Sequence, residues 1–339
     1  MTKKRVAVIG CGTISRVHLV SINASQKADL VAVADVILER AKKCATEFSC
    51  KAYTDYREMV EKEKPDCVHI CLPHYLHTPV ALWCMERGVS VLVEKPIATN
   101  FEDALLMEKC AEVNGVSLVA VMQNRYNAGT LFIEKILREG ALGKILGARC
   151  SVTWFRPQSY YDEAPWRGKL AESGGGVIIN QAIHTIDLMC HLVNSKVVRV
   201  DSTIAKRGRC NIEVEDSAEG IIEFENGVIG NFHAINCYSD NSPVFLELHS
   251  EKGKVQMLSD RATVYFNDGS TLSSDADDAF DYGNVKEYWG ASHIKQIFDF
   301  YEHLTSGTPM RVSFDSALET HKIICDIYEN ARKKDSHQR

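Results

Sequence analysis

The feature that most constrains this fold is the passage from the apolar run Arg5-Val6-Ala7-Val8-Ile9 into GCGTISRVH at residues 10 to 18. A buried strand, a tight glycine turn and a helix start follow one another without a spacer. Gly10 permits the turn and Gly12 lets the backbone come close to a ligand. The amides of Cys11, Thr13 and Ile14, with the positive end of the helix dipole behind them, suit a pyrophosphate. Position 15 is Ser where a third glycine is usual, so the fingerprint is degenerate. The next apolar run, Leu30 to Ala34, ends on Asp35, where an acid accepts hydrogen bonds from the ribose hydroxyls of NAD and repels the 2′-phosphate of NADP. Arg40 lies close enough in sequence to meet such a phosphate, which leaves NADP open as a second cofactor.

Strand and helix patterns alternate through the first part of the chain. Strands are expected at 51–53, 67–72, 89–93 and 117–122, with helices at 38–48, 56–62, 78–87 and 101–114. That alternation predicts a doubly wound parallel sheet, with ligands beyond the carboxyl ends of its strands. Those ends carry Gly10, Asp35, Cys71-Leu72-Pro73-His74, Glu94-Lys95-Pro96 and Gln123-Asn124-Arg125-Tyr126. From about residue 145 the pattern changes to longer, turn-bounded strands, with hairpin signals at Asn226-Gly227 and Asp268-Gly269. The expectation is an α/β chain of two domains. Residues 1–123 form the dinucleotide-binding domain, and 124–339 a second domain with a large, open, mostly antiparallel sheet. Helices are expected at 127–139, 177–192, 290–305 and 315–333, the last packing back on the first domain. Ser270 to Asp281 reads as a mobile loop.

Composition excludes several classes. The net charge of -6 with both signs scattered gives no nucleic-acid surface, and the basic clusters at 3–5 and 332–334 read as solvated ends. No apolar run is long enough to span a membrane, and the first strand begins without a signal peptide, so a cytoplasmic protein is expected. The 12 cysteines lack any CxxC spacing and read as reduced thiols; no metal site is expected, His74 and His77 having no companion ligand.

Three segments carry candidate chemistry. Lys95 follows a strand, and a lysine drawn partly out of water gives up its proton more readily, which suits exchange with a hydroxyl; a surface turn is the competing reading. In the segment 173–187, Asn180, His184 and Asp187 are spaced i, i+4 and i+7, so an α-helix would present them on one face. The glycines 174–176 before it leave room for a ligand or for neighbouring backbone. The stretch Trp154 to Tyr161, with Arg156, Tyr160 and Tyr161, and then Trp166-Arg167, offers aromatic faces and hydrogen-bonding tips suited to a sugar, or alternatively a self-anchored loop.

With these residues in view, the chain resembles the glucose-fructose oxidoreductase, inositol dehydrogenase and MocA family. The resemblance runs through GCGTISRVH, Asp35, Cys71-Leu72-Pro73 to His77, Glu94-Lys95-Pro96, Asn124-Arg125-Tyr126, Trp166-Arg167 and the GGG to His184 to Asp187 block, in that order. It implies a Rossmann domain, dimers or tetramers built through sheet faces, and hydride transfer between a sugar or cyclitol carbinol carbon and nicotinamide. It makes Lys95 and His184 the catalytic pair, facing one another across the domain boundary. Cofactor contacts are implied for Gly10, Cys11, Gly12, Thr13, Ile14, Asp35, Cys71, Pro73, His74, His77, Glu94, Lys95, Gln123, Trp166 and Arg167. Substrate contacts are implied for Tyr126, Arg156, Tyr160, Tyr161, Asn180 and His293. Asn180 stands where many relatives carry Asp, and an amide orients a hydroxyl but offsets no imidazolium charge. The alternatives are a glycoside-cleaving enzyme that oxidises its substrate transiently with tightly held NAD, and a non-catalytic NAD sensor.

Overall fold

A computed structural model describes residues 3–275, 280–283 and 292–337, the side chains of 335–337 excepted. The chain divides into two compact units. The first runs through Gln123 and regains the segment that ends at Leu318, and the second takes Asn124 to Asp278 and the end of the chain from Glu319.

In the first unit, β1 (Lys4–Ile9), β2 (Ala28–Ala34), β3 (Lys51–Tyr53), β4 (Cys67–Ile70), β5 (Ser90–Val93) and β6 (Leu118–Ala120) form one parallel sheet in the order β3-β2-β1-β4-β5-β6. Helices α1 (Ser15–Ala24), α2 (Leu38–Phe48), α3 (Tyr56–Glu63), α4 (His77–Met85) and α5 (Phe101–Asn114) alternate with the strands. The strand direction of travel reverses at β1, so the loop after it opens at the switch point where such sheets take ligands. Central strands are apolar on both faces, as a parallel sheet covered on both sides requires: Val6, Val8, Val33, Cys67, Leu92 and Val119 are buried in one core. Helix α3 starts where the Asp55 carboxylate accepts from the Arg57 amide, and α5 where the Asn100 side chain accepts from Asp103, two ordinary N-caps.

The second unit begins with α6 (Ala128–Arg138) and builds an eight-stranded sheet from β7 (Ile145–Thr153), β8 (Val197–Ala205), β9 (Ser217–Phe224), β10 (Ile229–Ile235), β11 (Phe245–Ser250), β12 (Gly253–Leu258), β13 (Arg261–Phe266) and β14 (Thr271–Ser273). Its order is β14-β13-β12-β11-β7-β10-β9-β8, antiparallel throughout except where β10 runs parallel to β7. Between β7 and β8 lie α7 (Gln158–Asp162), α8 (Leu170–Ser173) and α9 (Ile183–Val193). Met189 of α9 rests on Gly230, fixing which sheet face is inward. The opposite face carries Arg149 and Gln256 around Glu247, whose carboxylate would be raised by burial but is brought down to about 2 by hydrogen bonds from Arg149, Gln256 and His249.

The expectation of an uninterrupted second domain over 124–339 needs correction. Helix α10 (His293–Ser306) belongs to the first unit: Ile297, Phe300 and Tyr301 on its apolar stripe enter the same core as β1 and β4. Helix α11 (Phe314–His337) is assigned to the second unit from Glu319 onward, where the Ser202 hydroxyl of β8 donates to the Ile327 carbonyl. Its first residues, Phe314 to Leu318, are grouped with the first unit, on which the helix was expected to pack. Part of the segment expected as a mobile loop at 270–281 is strand β14, and its residues 276–279 lie outside the described residues, as does the start of the helix expected at 290–305. Among the described residues one segment, Leu170–Val193, is long and apolar enough to cross a membrane, and 83% of its window is buried inside the fold.

Candidate active site

The nucleotide loop is built as its sequence implies. Gly10 has φ +97°, and a Cβ there would overlap the Cys71 carbonyl, so the turn tolerates only glycine. Around Gly12 a Cβ would meet nothing within 4 Å, the open approach a pyrophosphate needs. The Ser15 hydroxyl, where a third glycine is usual, turns back to donate to the Gly12 carbonyl at 2.6 Å and is buried. Helix α1 begins with no side-chain cap and no acid in its first turn, leaving its positive end for an anion. The Asp35 carboxylate latches the loop: Oδ2 accepts from the Cys11 amide at 2.8 Å and Oδ1 from the Ile37 amide at 2.8 Å. These features fit a dinucleotide.

Lys95 follows β5, and its bond to Pro96 is cis. The residue before it, Glu94, anchors a buried network. Its Oε1 accepts from His18 Nε2 at 2.9 Å and from His293 Nε2 at 3.3 Å, and its Oε2 from the Lys95 amide at 3.2 Å. His18 Nδ1 lies 2.9 Å from His69 Nδ1, and His69 Nε2 lies 2.9 Å from the Tyr301 hydroxyl. Burial opposes the charge on Glu94, yet the hydrogen bonds from His18 and His293 hold its carboxyl well below the usual range. Burial also pulls His69 well below the ordinary histidine value and pushes the Tyr301 phenol well above its own. One donor pattern satisfies every bond: the Tyr301 hydroxyl donates to His69 Nε2, His69 Nδ1 donates to His18 Nδ1, and His18 Nε2 and His293 Nε2 donate to the carboxylate. His18, Glu94 and His293 also place three ligand-type atoms within 4.8 Å of one another, a set that a metal ion can use. The donor pattern accounts for their spacing without one.

Several expected contacts resolve into packing. His293, expected on the substrate, is 1% exposed and turned to Glu94; Glu94, expected on the cofactor, is taken up by the histidines. His77 is fully buried with Nδ1 at 2.8 Å from the Pro96 carbonyl and Nε2 at 2.9 Å from the Leu72 carbonyl, so it ties two strand-end loops together. Burial is the main reason its pKa is lowered. The Cys71 thiol is buried, and burial pushes its pKa well up. His74, Gln123 and, in the second unit, Tyr126 are buried as well. Tyr161 packs against Ile212 and Val214, its phenol pushed by burial to about 12 and hydrogen-bonded to the Asn236 side chain.

In the second unit, the segment expected as one α-helix over 177–192 opens with a π-helical turn, Ile178–Ala182, before α9. The wider turn departs from the α-helical step expected between Asn180 and His184. The turn instead offers the Asn180 and Gln181 amides to one acceptor: the Tyr160 hydroxyl lies 3.3 Å from Asn180 Nδ2 and 3.1 Å from Gln181 Nε2. Asn236 donates to Gln181 Oε1 at 2.9 Å, completing a polar cluster on the segment that leads to His184. Asp187 is removed from the chemistry. Its oxygens accept from Arg125 Nε at 2.9 Å and Nη2 at 2.6 Å, and from the Thr320 hydroxyl at 2.5 Å.

The glycines before the turn serve packing. A Cβ on Gly176 would overlap the Glu215 carbonyl, and one on Gly175 the Tyr328 hydroxyl. Glu215, which sequence reasoning missed, accepts from the Gly176 amide at 2.8 Å, the Ile178 amide at 3.2 Å and the Tyr328 hydroxyl at 2.7 Å, and so stands at the start of the helical segment. Burial raises its carboxyl above the usual range, against those bonds. The one sequence signal was an acidic pair, Glu215-Asp216, opening an apolar strand. Trp166 and Arg167 sit on a short 3-10 turn beside Tyr160, with Arg167 Nη1 donating to the Tyr160 carbonyl at 3.0 Å.

Comparison with known proteins agrees with this architecture. Residues 4–122 match the model of an oxidoreductase family with an NAD-binding Rossmann fold, and residues 130–256 match the GFO/IDH/MocA C-terminal domain. The 1,5-anhydro-D-fructose reductase of Ensifer adhaerens is 29% identical over 230 residues, 68% of each chain. The levoglucosan dehydrogenase of Pseudarthrobacter phenanthrenivorans is 24% identical over 98% of this chain and 97% of its own. Among solved structures, the WlbA dehydrogenase from Bordetella pertussis, in complex with NADH and UDP-GlcNAcA, superposes with a TM-score of 0.83 at 26% identity, covering 97% of each chain. These relatives favour neither the glycoside-cleaving reading nor the sensor reading.

Proposed function

We propose, from the premise that the chain belongs to the GFO/IDH/MocA oxidoreductase family, that it is an NAD(P)-dependent dehydrogenase of a sugar, a sugar derivative or a cyclitol, acting on a CH–OH group with NAD as first cofactor. The observation that carries the reading is one chain holding both a nucleotide loop latched by Asp35 and a carbohydrate-type cluster, in which an aromatic hydroxyl and two amides lead into His184. Bound NAD supplies the hydride acceptor. Gly10 to Ile14 and Asp35 hold it, with Trp166 and Arg167 assigned to its nicotinamide half. Lys95 Nζ and the His184 imidazole take the hydroxyl proton as the carbinol is oxidised, while Tyr160 and Asn180 orient the ring.

The relatives' substrates support a carbohydrate, and the twelve free cysteines suit a reducing compartment, so we place the enzyme in the cytoplasm. The sheet face opposite α9 carries exposed Ile229 and Tyr265 around the Glu247 cluster, which supports a homodimer or homotetramer built through that face; neither nucleic acid nor membrane is assigned as a partner. The test is NADH formation across a panel of polyols, aldoses, glycosides and sugar nucleotides. Lys95→Ala and His184→Ala should each lower kcat by about 10²- to 10⁴-fold. If both variants keep the parent kcat on a substrate so found, the assigned roles are wrong.

A further inference from the structure

Arg156 and Arg167 both stand over the same aromatic ring. The Arg167 guanidinium lies 4.3 Å from the centre of Tyr160, and that of Arg156 lies 5.5 Å from Tyr160 and 4.7 Å from Trp154. Neither forms an ion pair among the described residues, although both are half-buried. Two guanidiniums gathered on one ring, with no carboxylate between them among the described residues, make a positive site that an anion can join. The geometry of Arg156 shows where one would bind. Its Nη1 donates to the Phe155 carbonyl at 2.8 Å and to Asn241 Oδ1 at 2.9 Å, which holds the plane in place. The Nε–H and Nη2 edge, the fork that matches a carboxylate or phosphate in bidentate fashion, is left for a ligand. The far end of the Tyr160 ring is the hydroxyl held by Asn180 and Gln181, so the fork and the sugar-orienting amides are joined by a single side chain.

We infer that the substrate carries a negative charge, a carboxylate or a phosphate on the sugar, and that Arg156 is the residue that selects it. The inference rests on the dehydrogenase reading for its site and goes beyond it in naming the substrate class. Arg167 is assigned to the cofactor, which leaves Arg156 for the substrate.

Matched pairs test this: glucose against glucuronate and glucose 6-phosphate, and UDP-GlcNAc against its uronate. Both turnover with NAD and saturable binding by calorimetry with NADH present are measured. One anionic member should exceed its neutral partner at least tenfold in kcat/KM, and the arm that responds identifies carboxylate or phosphate. Arg156→Gln should cut that ratio at least tenfold, Arg156→Lys should restore part of it, and unliganded melting curves check that both variants fold. Equal kcat/KM within every pair, or an Arg156→Gln loss that is the same for neutral and charged members, overturns the inference. If no sugar is turned over, the dehydrogenase reading fails on its own; the charge inference is then decided by binding. It stands if an anionic sugar binds in an Arg156-dependent way and falls if none does.

Discussion

The Arg125–Asp187 pair offers a sharp test of which residues near His184 are structural. Arg125 and Asp187 are 6% and 1% exposed and meet through two hydrogen bonds of 2.9 and 2.6 Å, with Thr320 also donating to the carboxylate. Burial alone would lower the arginine's pKa, but the Asp187 charge raises it, so the guanidinium stays ionised. Asp187→Asn keeps the volume and removes the charge, stranding a buried cation. Breaking such a pair from one side costs about 3–5 kcal/mol. For a unit of this size, where each kcal/mol moves the midpoint by about 2–4 °C, the Tm should fall by about 6–20 °C. The double variant Arg125→Met/Asp187→Leu removes both charges and should recover most of that loss, because apolar replacement of a whole buried pair is often neutral or stabilising. Differential scanning calorimetry of the parent, the single variant and the double variant reads all three. Turnover per folded molecule below the transition should stay within about twofold of the parent for Asp187→Asn, since an intact fold keeps the helix geometry. A single variant that melts with the parent, or one that melts normally but loses turnover, would refute the structural assignment and return Asp187 to the chemistry.

Gly10→Ala, forced to a φ of +97° with its Cβ against the Cys71 carbonyl, should lower stability by about 1–3 kcal/mol and abolish NADH binding, read by melting and by fluorescence titration; unchanged binding would mean that the loop is not the cofactor's seat. Asp35→Ser removes the latch on the Cys11 amide together with the negative charge, so NADH affinity should fall about tenfold while the NADPH to NADH preference rises; an unaltered preference would take Asp35 out of the ribose site. Burial holds the His69 imidazole neutral in the fold while the unfolded chain protonates it near its ordinary pKa, so its contribution is present above about pH 6.5 and is lost on acidification. From pH 6.5 to 5.5 this should cost about 1 kcal/mol, read as a falling urea midpoint, and a midpoint that rises over that range would contradict its neutral burial.

What the sequence made legible follows the range of the forces involved. Helix α2, helix α5 and strand β3 fall on the residues expected, because apolar period and turn residues are local properties. The nucleotide loop was legible for the same reason, since its glycines sit beside the strand and helix they connect. The Glu94 cluster was not, because its partners lie 76 and 199 residues away and nothing near His293 signals a carboxylate. The π turn at Ile178–Ala182 was not legible either, because it leaves no pattern of apolar residues. Helix α7 is too short to show a period, so the aromatic stretch carried no helix signal.

Each proposed proton-handling residue is mounted beside a buried carboxylate that is already satisfied. Glu94 precedes Lys95 and is held by two histidines, while Asp187 lies three residues beyond His184 and is held by an arginine. An unpaired buried acid next to either group would compete for the substrate's proton or shift with every change in pH. A carboxylate closed by strong donors holds its charge and position through the cycle, and it fixes the backbone from which the reactive side chain projects. The two mounts differ in their sensitivity to acid. Asp187 is paired with an arginine that does not lose its proton in the working range, whereas the Glu94 network depends on a neutral His69 passing its Nδ1 proton toward His18. Protonating His69 costs stability, so acid should loosen the Lys95 mount before the helix that carries His184. Hydrogen exchange at pH 5.5 against pH 7 reads the order: amides of β4 and β5 should lose protection while those of α9 keep it, and the reverse order would show that the histidine chain does not hold the lysine strand in place.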